Sequence, residues 1–144
     1  MTAGVVLSLD YGRRRIGIAV STPLGTVHPR PRLERTTLEA DLRALAEVAR
    51  EVEAGAIVIG LPHHMDGSVS EMEREVRTFA TALAAACGLP VFGVDERLTT
   101  EAADSALRAG TKGWRERKAR RDSAAACLLL QDYLDAGGRG ERIA

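Results

Sequence analysis

Residues 5–17, VVLSLDYGRRRIG, decide the fold of this 144-residue chain. The apolar run 5–9 is short, rich in β-branched residues and without helical periodicity, so it predicts a buried strand that ends at Asp10. Gly12 supplies the backbone freedom for a tight turn, and the alternating residues 16–20 predict a second strand. The stretch therefore predicts a hairpin with one carboxylate at its mouth. A carboxylate buried in such a place is usually paired or coordinates a metal.

Three more strands are predicted after this hairpin. Residues 26–33 predict an extended segment, which Pro29 and Pro31 restrict to a sheet edge or to irregular structure. Short apolar runs predict two further strands, at 56–59 and 91–94, and Glu96 follows the second of them closely.

Four helices are predicted between and after these strands. Thr36 and Ser68 are each followed three residues later by a glutamate, which is the spacing of a capping box at a helix start. Gly55 and Gly88 are predicted to end those two helices. Two further helices are predicted at about 99–108 and 122–136, with a basic loop at 111–121 between them.

This order of elements predicts a three-layer α/β fold, in which a mixed sheet of five strands carries helices on both faces. The length is that of one domain. We expect the domain to span residues 1–136 and residues 137–144 to form a flexible tail. Because no apolar run has the length of a membrane span and no signal-peptide pattern is present, we expect a cytoplasmic protein without a membrane partner.

Charge is balanced overall but unevenly distributed. The chain has 20 basic and 20 acidic residues, which taken alone argues against a nucleic-acid partner. Residues 112–121, however, contain six basic residues and the single acid Glu116. A cluster of one sign indicates that one side of an otherwise neutral protein faces a polyanion.

Three carboxylates lie at the ends of predicted elements: Asp10 and Glu96 after strands, and Asp122 at the start of the last helix. In an open α/β sheet the strand ends beside the crossover helices form the binding crevice, so Asp10 and Glu96 are expected to meet there. Asp122 can reach them if the last helix begins beside the central strand.

Three oxygen donors at one point repel one another unless cations lie between them, which is the requirement of a Mg²⁺ or Mn²⁺ site. Two such ions can activate a water and stabilise the leaving oxygen in phosphodiester cleavage. The spacing equally permits structural roles, with Asp122 capping a helix, Glu96 in an ion pair and Asp10 bound by turn amides.

Four motifs in order resemble those of the YqgF, or RuvX, family of nucleases: DYGRRRIG at 10–17, GLPHHMDG at 60–67, DERLTT at 95–100 and DSAAA at 122–126. The resemblance covers nearly the whole chain. It implies a ribonuclease H-like fold, and the activity of Holliday junction resolvases and of nucleases that mature the end of precursor 16S ribosomal RNA. It also implies that Asp10, Glu96 and Asp122 are divalent-metal ligands, and that Gly12, Gly17 and the turn at 66–67 are structural.

The chain departs from the family pattern in two places. His63 and His64 stand where asparagine is commoner, and Arg14 stands where lysine is frequent. Arginine keeps the charge that contacts phosphate. We interpret the two histidines as surface or substrate-contacting residues rather than metal ligands, because no third His or Cys has suitable spacing. Asp66 is interpreted as a turn former before Gly67.

Phosphate contacts are predicted from two basic stretches. Cations just before Asp122 would face phosphates that lie across the acidic centre. Trp114, the only tryptophan, lies among them and either stacks on an unpaired base or packs the loop onto the protein. The predicted nucleic-acid contacts are Arg13, Arg14, Arg15, Lys112, Trp114, Arg115, Lys118 and Arg121.

The favoured function is a metal-dependent endonuclease, with a two-metal-ion mechanism, that cuts branched DNA or precursor ribosomal RNA. One alternative is a binding module for ribosomal RNA or junctions, in which the carboxylates are structural. Another is a nucleotide-binding domain, because the pattern DxGxxxxG resembles the first phosphate-binding hairpin of actin-like ATPases and sugar kinases. Those proteins close two domains over a nucleotide, whereas a chain of this length supplies one domain. Symmetric cutting of a four-way junction would need a homodimer, whereas single cuts at an RNA end would not.

Overall fold

One mixed sheet forms the centre of the fold. The computed structural model describes residues 4–62, 70–95, 123–138 and 140–144. The strands of the sheet are β1 (Val5–Asp10), β2 (Arg15–Ser21), β3 (Val27–Glu34), β4 (Ala54–Leu61), β5 (Val91–Asp95) and β6 (Glu141–Arg142). Their order across the sheet is β3-β2-β1-β4-β5-β6. The pairs β1/β4 and β4/β5 are parallel, and the other neighbours are antiparallel.

Helices cover both faces of this sheet, which confirms the three-layer α/β prediction. Helices α1 (Leu38–Glu51) and α2 (Glu71–Cys87) pack on one face, over a core that includes Leu7 and Leu9. Helix α3 (Ala124–Asp135) packs on the other face, against Ala19 and Val58. None of these helices, in the part of the chain that the structure describes, is long and apolar enough to cross a membrane.

The predicted hairpin is present as β1 and β2, with Asp10 opposite Gly17 in the antiparallel register. Gly12 lies in the turn between the two strands. A Cβ atom at this position would approach the carbonyl oxygen of Arg15 to 2.5 Å, so the turn admits only a residue without a side chain. β3 is a strand at the sheet edge, which is one of the two possibilities that its prolines leave open.

The helix starts differ from the predicted ones by one or two residues. The N-cap of α1 is Thr37, whose hydroxyl accepts a hydrogen bond from the amide three residues later (3.1 Å). The amide of Thr36 donates instead to Asp41 (3.0 Å). The N-cap of α2 is Ser70, with the same kind of bond at 2.9 Å. Thr36 and Ser68 are therefore not the caps; two hydroxyl residues precede each helix, and spacing alone does not choose between them.

The predicted end of α1 is also wrong. Val52 is the C-cap, and Glu53 takes the left-handed conformation (φ 56°) that glycine usually supplies after a helix. Gly55 lies inside β4 instead. Gly88 ends α2 as predicted, with a φ of 69°. A glutamate in the left-handed region leaves no glycine signal in the sequence, which explains the error.

The C-terminal residues add a sixth strand, so the predicted count of five is wrong. β6 pairs with β5 in an antiparallel register. Beyond it, the amide of Ile143 donates to the carbonyl of Val91 (2.8 Å), and the amide of Val91 donates to the carbonyl of Ala144 (2.9 Å). Residues 140–144 are thus held against β5 rather than forming the free tail predicted for 137–144. Two paired residues are too few to show an alternating pattern.

Side chains reinforce this C-terminal attachment. Ile143 packs against the main core. Gly93 of β5 leaves room for it, because a Cβ atom there would lie 2.9 Å from Cδ1 of Ile143 and 2.4 Å from Cδ1 of Leu61. Arg77 of α2 forms a 2.6 Å ion pair with Glu141.

Candidate active site

Asp10 is the last residue of β1, near the middle of the sheet. Leu7 and Leu9 point to the face covered by α1 and α2, so the alternation of the strand directs Ser8 and Asp10 to the opposite face. The hydroxyl of Ser8 confirms this direction, because it donates to the carbonyl of Ala126 in α3 (2.8 Å). The Asp10 carboxylate therefore lies on the α3 face, at the carboxyl end of a central strand.

The environment of the Asp10 carboxylate is unfavourable for an isolated anion. The residue is half-buried, and desolvation by this burial raises the pKa of Asp10 above its ordinary value. Among the residues that the structure describes, no side chain or backbone amide bonds to this carboxylate. A half-buried carboxylate in this situation fits a hard cation, which would supply the missing opposite charge.

Two neighbouring strands end at the same edge of the sheet as β1. β4 is parallel to β1, and β5 is parallel to β4, with Leu61 opposite Asp95. β5 lies two strand spacings from β1, which is roughly 10 Å. Val94 packs on the α3 face, so Asp95 takes the other face by alternation. The predicted ligand Glu96 follows directly and lies outside the described residues.

The start of α3 is fastened to the hairpin by Ser123, a fully buried residue. Its hydroxyl accepts a hydrogen bond from the amide of Ile18 (3.0 Å) and donates to the carbonyl of Arg30 (2.7 Å). These groups flank the place where the β2–β3 register shifts. Ile18 follows Gly17, the residue opposite Asp10, so the anchor is close to the Asp10 carboxylate along the sheet.

The three consecutive arginines of the turn and of β2 have different surroundings. Arg13 is ion-paired with Glu75 of α2 at 3.1 Å, with the side chain 59% exposed. Arg14 and Arg15 are exposed. Neither forms an ion pair with another residue in the described ranges. Two positive charges without an ion-pair partner among the described residues thus lie beside the turn that follows Asp10.

The other predicted site residues are not among those that the structure describes. The structure therefore locates Asp10 and the three arginines, whereas the other two predicted ligands, Glu96 and Asp122, lie outside the described residues. Within the described ranges, no group of three or more His, Cys, Asp or Glu residues could hold a metal ion. The predicted residues outside these ranges are His63, His64, Asp66, Glu96, Lys112, Trp114, Arg115, Lys118, Arg121 and Asp122.

Sequence reasoning missed several residues that hold this site together. Ser123 has no signal beyond its place after Asp122 in the DSAAA motif. Tyr11 adjoins Asp10, and its hydroxyl donates to Glu75 (2.6 Å). Arg35 donates to the carbonyl of Gly12 (3.2 Å) from 23 residues along the chain. Contacts over such a separation appear only once β3 is placed beside β2.

Comparisons with known proteins agree with one another. The family model described as "RuvX: Holliday junction resolvase" matches residues 4–136. A protein of Anaeromyxobacter sp. strain Fw109-5 named "Putative pre-16S rRNA nuclease" is 45% identical over 130 residues, which cover 90% of this chain and 95% of the relative. A protein of Moorella thermoacetica with the same name is 42% identical over 135 residues, covering 93% and 96%.

Two solved structures show the same fold at low sequence identity. Thermus thermophilus RuvC aligns with a TM-score of 0.61 at 12% identity, covering 96% of this chain and 99% of RuvC. The fowlpox virus resolvase, solved in complex with Holliday junction DNA, aligns with a TM-score of 0.59 at 9% identity, covering 94% and 99%. At such identities the likeness concerns the fold alone, which is the ribonuclease H-like fold that the motifs predict.

Proposed function

We propose that this chain, which belongs to the RuvX family, is a nuclease that hydrolyses phosphodiester bonds in structured nucleic acid with the help of divalent metal ions. The observation that carries the proposal is the Asp10 carboxylate, half-buried and without a partner among the described residues, at the carboxyl end of a central strand. Strand ends of this kind form the binding crevice of open α/β sheets.

We propose Asp10, Glu96 and Asp122 as the residues that hold the metal. If β5 continued by one residue, its alternation would bring Glu96 to the α3 face, which Asp10 shares. Asp122 directly precedes Ser123, whose hydroxyl accepts a hydrogen bond from the amide of Ile18. Ile18 is next to Gly17, the residue opposite Asp10 in the sheet. Three carboxylates suit Mg²⁺ or Mn²⁺. Bound as a pair, such ions would activate a water and stabilise the leaving oxygen, the two-metal chemistry of many nucleases.

The protein's own cations would bind the phosphates on either side of the scissile bond. Arg14 and Arg15 are the strongest candidates, because both are exposed next to the Asp10 turn. Arg13 contributes less in this proposal, since Glu75 already neutralises much of its charge. The basic stretch before Asp122 is proposed to track the rest of the backbone. The contacts proposed in this stretch are Lys112, Trp114, Arg115, Lys118 and Arg121.

Two substrates are candidates, and different findings favour them. Relatives at 42–45% identity over most of the chain are named for precursor 16S ribosomal RNA. The family description and a structural neighbour solved with its substrate point to four-way DNA junctions. A side-by-side assay with a four-way junction, single-stranded RNA and precursor ribosomal RNA, each with Mg²⁺ and with Mn²⁺, separates these possibilities. Binding without cleavage under every condition would favour a binding module.

The decisive variant is Asp10→Asn, which removes the negative charge and keeps the shape. We expect cleavage to fall by about a hundredfold or more, because even groups that only orient a metal ligand cost 10- to 100-fold when changed. Binding of nucleic acid should change little. Gel assays of cleavage and fluorescence anisotropy of binding measure the two effects.

Asp95→Asn is the matched control, since Asp95 ends β5 at the same sheet edge but on the other face. We expect it to cleave like the wild type, and circular dichroism verifies that both variants fold. Full activity in Asp10→Asn would exclude Asp10 from the site and end the nuclease proposal in its present form.

A homodimer and a cytoplasmic location are further parts of the proposal. Symmetric cutting of a four-way junction requires two active sites in one particle, so a junction resolvase is expected to be dimeric. Light scattering with and without junction DNA tests this. The proposed location rests on the substrate for which the relatives are named, precursor 16S ribosomal RNA, which an enzyme of the cytoplasm would reach.

A further inference from the structure

We propose that Arg35 is a positioning residue for the nuclease site, an inference that rests on the function proposed above. Arg35 does not touch the Asp10 carboxylate. It holds the turn of residues 11–14 that follows Asp10, and through this turn it fixes the direction in which the carboxylate points.

Arg35 bonds to the turn with both its main chain and its side chain. Its amide donates to the carbonyl of Arg14 (2.9 Å), and its Nη1 donates to the carbonyl of Gly12 (3.2 Å). The turn is tight, because a Cβ atom at Gly12 would clash with the carbonyl of Arg15. Two bonds to alternate carbonyls of so short a turn leave it little freedom.

A buried carboxylate anchors the other side of the guanidinium. Nε of Arg35 lies 3.0 Å from Oδ2 of Asp41, and the two side chains are 14% and 2% exposed. Oδ1 of Asp41 accepts a hydrogen bond from the amide of Thr36 (3.0 Å). Asp41 belongs to the first turn of α1, so Arg35 connects the active-site turn to a helix that packs on the core.

Aromatic contacts fix the residue next to Asp10. The guanidinium carbon of Arg35 lies 5.0 Å from the ring centre of Tyr11 and 5.2 Å from that of Phe79, and the two rings are 5.0 Å apart. The Tyr11 hydroxyl is bonded to Glu75 of α2. Tyr11 directly follows the end of β1, and its ring packs on the face covered by α1 and α2. Because successive residues of an extended chain point to opposite faces, holding Tyr11 there directs Asp10 to the α3 face.

These contacts require arginine rather than any cation. A guanidinium is a planar fork that donates in several fixed directions and stacks on rings, whereas an ammonium is a point charge on a flexible stem. Lysine at position 35 could keep either the ion pair with Asp41 or the bond to the Gly12 carbonyl. It would not make these two contacts together with the stacking on the aromatic rings. Arg35→Lys therefore keeps the charge and loosens the turn.

Arg77 offers a matched control. It also pairs with a nearly buried carboxylate, Glu73 (2.9 Å, 2% exposed), and it also bonds to a second element through Glu141. Glu141 belongs to β6 at the sheet edge, two strands beyond β4 and three beyond β1. Arg77→Lys thus weakens an equivalent contact without touching the turn after Asp10.

The test is calorimetric titration of Mn²⁺ into the metal-free, full-length wild type and both lysine variants. We expect Arg35→Lys to raise the Kd for Mn²⁺ by about tenfold, comparable to the loss of a group that orients a metal ligand. Arg77→Lys should leave the Kd unchanged, although thermal unfolding should show both variants to be less stable. An equal loss of Mn²⁺ affinity in the two variants would overturn the inference, because it would reflect general destabilisation.

Amide hydrogen exchange at residues 12–15 supplies a readout that needs no metal. Faster exchange there in Arg35→Lys is expected; faster exchange with an unchanged Kd would overturn the inference. If Arg35→Lys does not fold, Tyr11→Phe replaces it, since this variant keeps the ring and loses the hydroxyl that bonds to Glu75 and interacts with Arg35. A weaker Mn²⁺ affinity in Tyr11→Phe supports the inference, and an unchanged one overturns it. A wild type that fails to bind Mn²⁺ refutes the nuclease proposal itself and is recognised without any variant.

Discussion

At the scale of the residue, Gly12 shows how closely the backbone packs beside the candidate active site. The backbone carbonyl of Arg15 leaves no space for a Cβ atom on Gly12. The carbonyl of Gly12 itself accepts a hydrogen bond from Arg35. The glycine in the DYG motif therefore has a steric reason that does not depend on a left-handed backbone. Any larger residue would have to open the turn that directs Asp10.

We expect Gly12→Ala to lower the free energy of unfolding by about 1–3 kcal/mol, because relieving a contact with a backbone atom requires the chain to shift. Gly55→Ala is the control, since the nearest atom to a Cβ there is 3.9 Å away, an ordinary contact. Urea unfolding monitored by circular dichroism measures both. Equal stability of Gly12→Ala and the wild type would show that the turn tolerates a side chain.

At the scale of the element, α3 is fixed to the sheet by hydroxyl groups rather than by apolar packing alone. Ser123 replaces a missing ladder bond at the β2–β3 irregularity, and Ser8 bonds to the first turn of α3. These two contacts hold the first turn of α3 against the sheet. Since Asp122 immediately precedes this point, the position of a proposed metal ligand depends on them.

Removing the Ser123 hydroxyl should therefore cost more than removing the Ser8 hydroxyl. Ser123→Ala leaves the buried Ile18 amide and Arg30 carbonyl without this partner, and an unsatisfied buried group costs about 1–3 kcal/mol. Ser8→Ala removes one bond, whose acceptor is the carbonyl of Ala126 within α3. The loss of unfolding free energy should therefore be smaller. Chemical denaturation of the two variants checks the order, and the reverse order would contradict the anchoring role of Ser123.

The elements that the sequence predicts well are those with a clear pattern of apolar residues or prolines. A short apolar run indicates β1, alternation indicates β2, and Pro29 and Pro31 restrict β3 to the sheet edge or to irregular structure, of which the structure has the edge strand. The start of α1 was missed because Thr36 and Thr37 offer equivalent hydroxyls, and the choice depends on Asp41, which binds the amide of Thr36. Its end was missed because Glu53 takes a conformation that the sequence does not mark.

The residues of the candidate site likewise fall into those that the sequence predicts and those that only the tertiary structure reveals. Asp10 follows from its place at the end of an apolar run, and the structure puts it at the end of a central strand. Glu96 and Asp122 stay predictions. Arg35 and Ser123 were not predicted, because each acts on backbone groups of strands far away in the chain. Such polar contacts become visible only when the tertiary structure is known.

At the scale of the whole molecule, the chain end completes the sheet next to β5. Residues 140–144 contribute backbone bonds to Val91, an ion pair to Arg77 and the side chain of Ile143 to the core. The last residues of the chain are thus part of the fold that supports the site. Their loss should affect the stability of the whole sheet.

We expect a chain that ends at Gly138 to unfold at a lower temperature than the full chain. Ile143 is partly buried, and burying about half of an isoleucine side chain contributes about 1 kcal/mol. Because each kcal/mol shifts Tm by roughly 2–4 °C at this size, a decrease of about 2–4 °C is predicted from Ile143 alone. Differential scanning calorimetry measures it, with Ile143→Ala as the comparison. An unchanged Tm would mean that the C-terminal residues are not bound in solution.

The two borders of the described sheet bear on how the protein can self-associate. β3 contains two prolines, whose nitrogens have no hydrogen to offer an approaching chain, and β6 exposes only two residues. Neither border is a good template for joining two sheets into one continuous ribbon. As far as the described strands go, a second subunit is therefore expected to dock through helices or loops, and the same architecture disfavours polymerisation through backbone pairing.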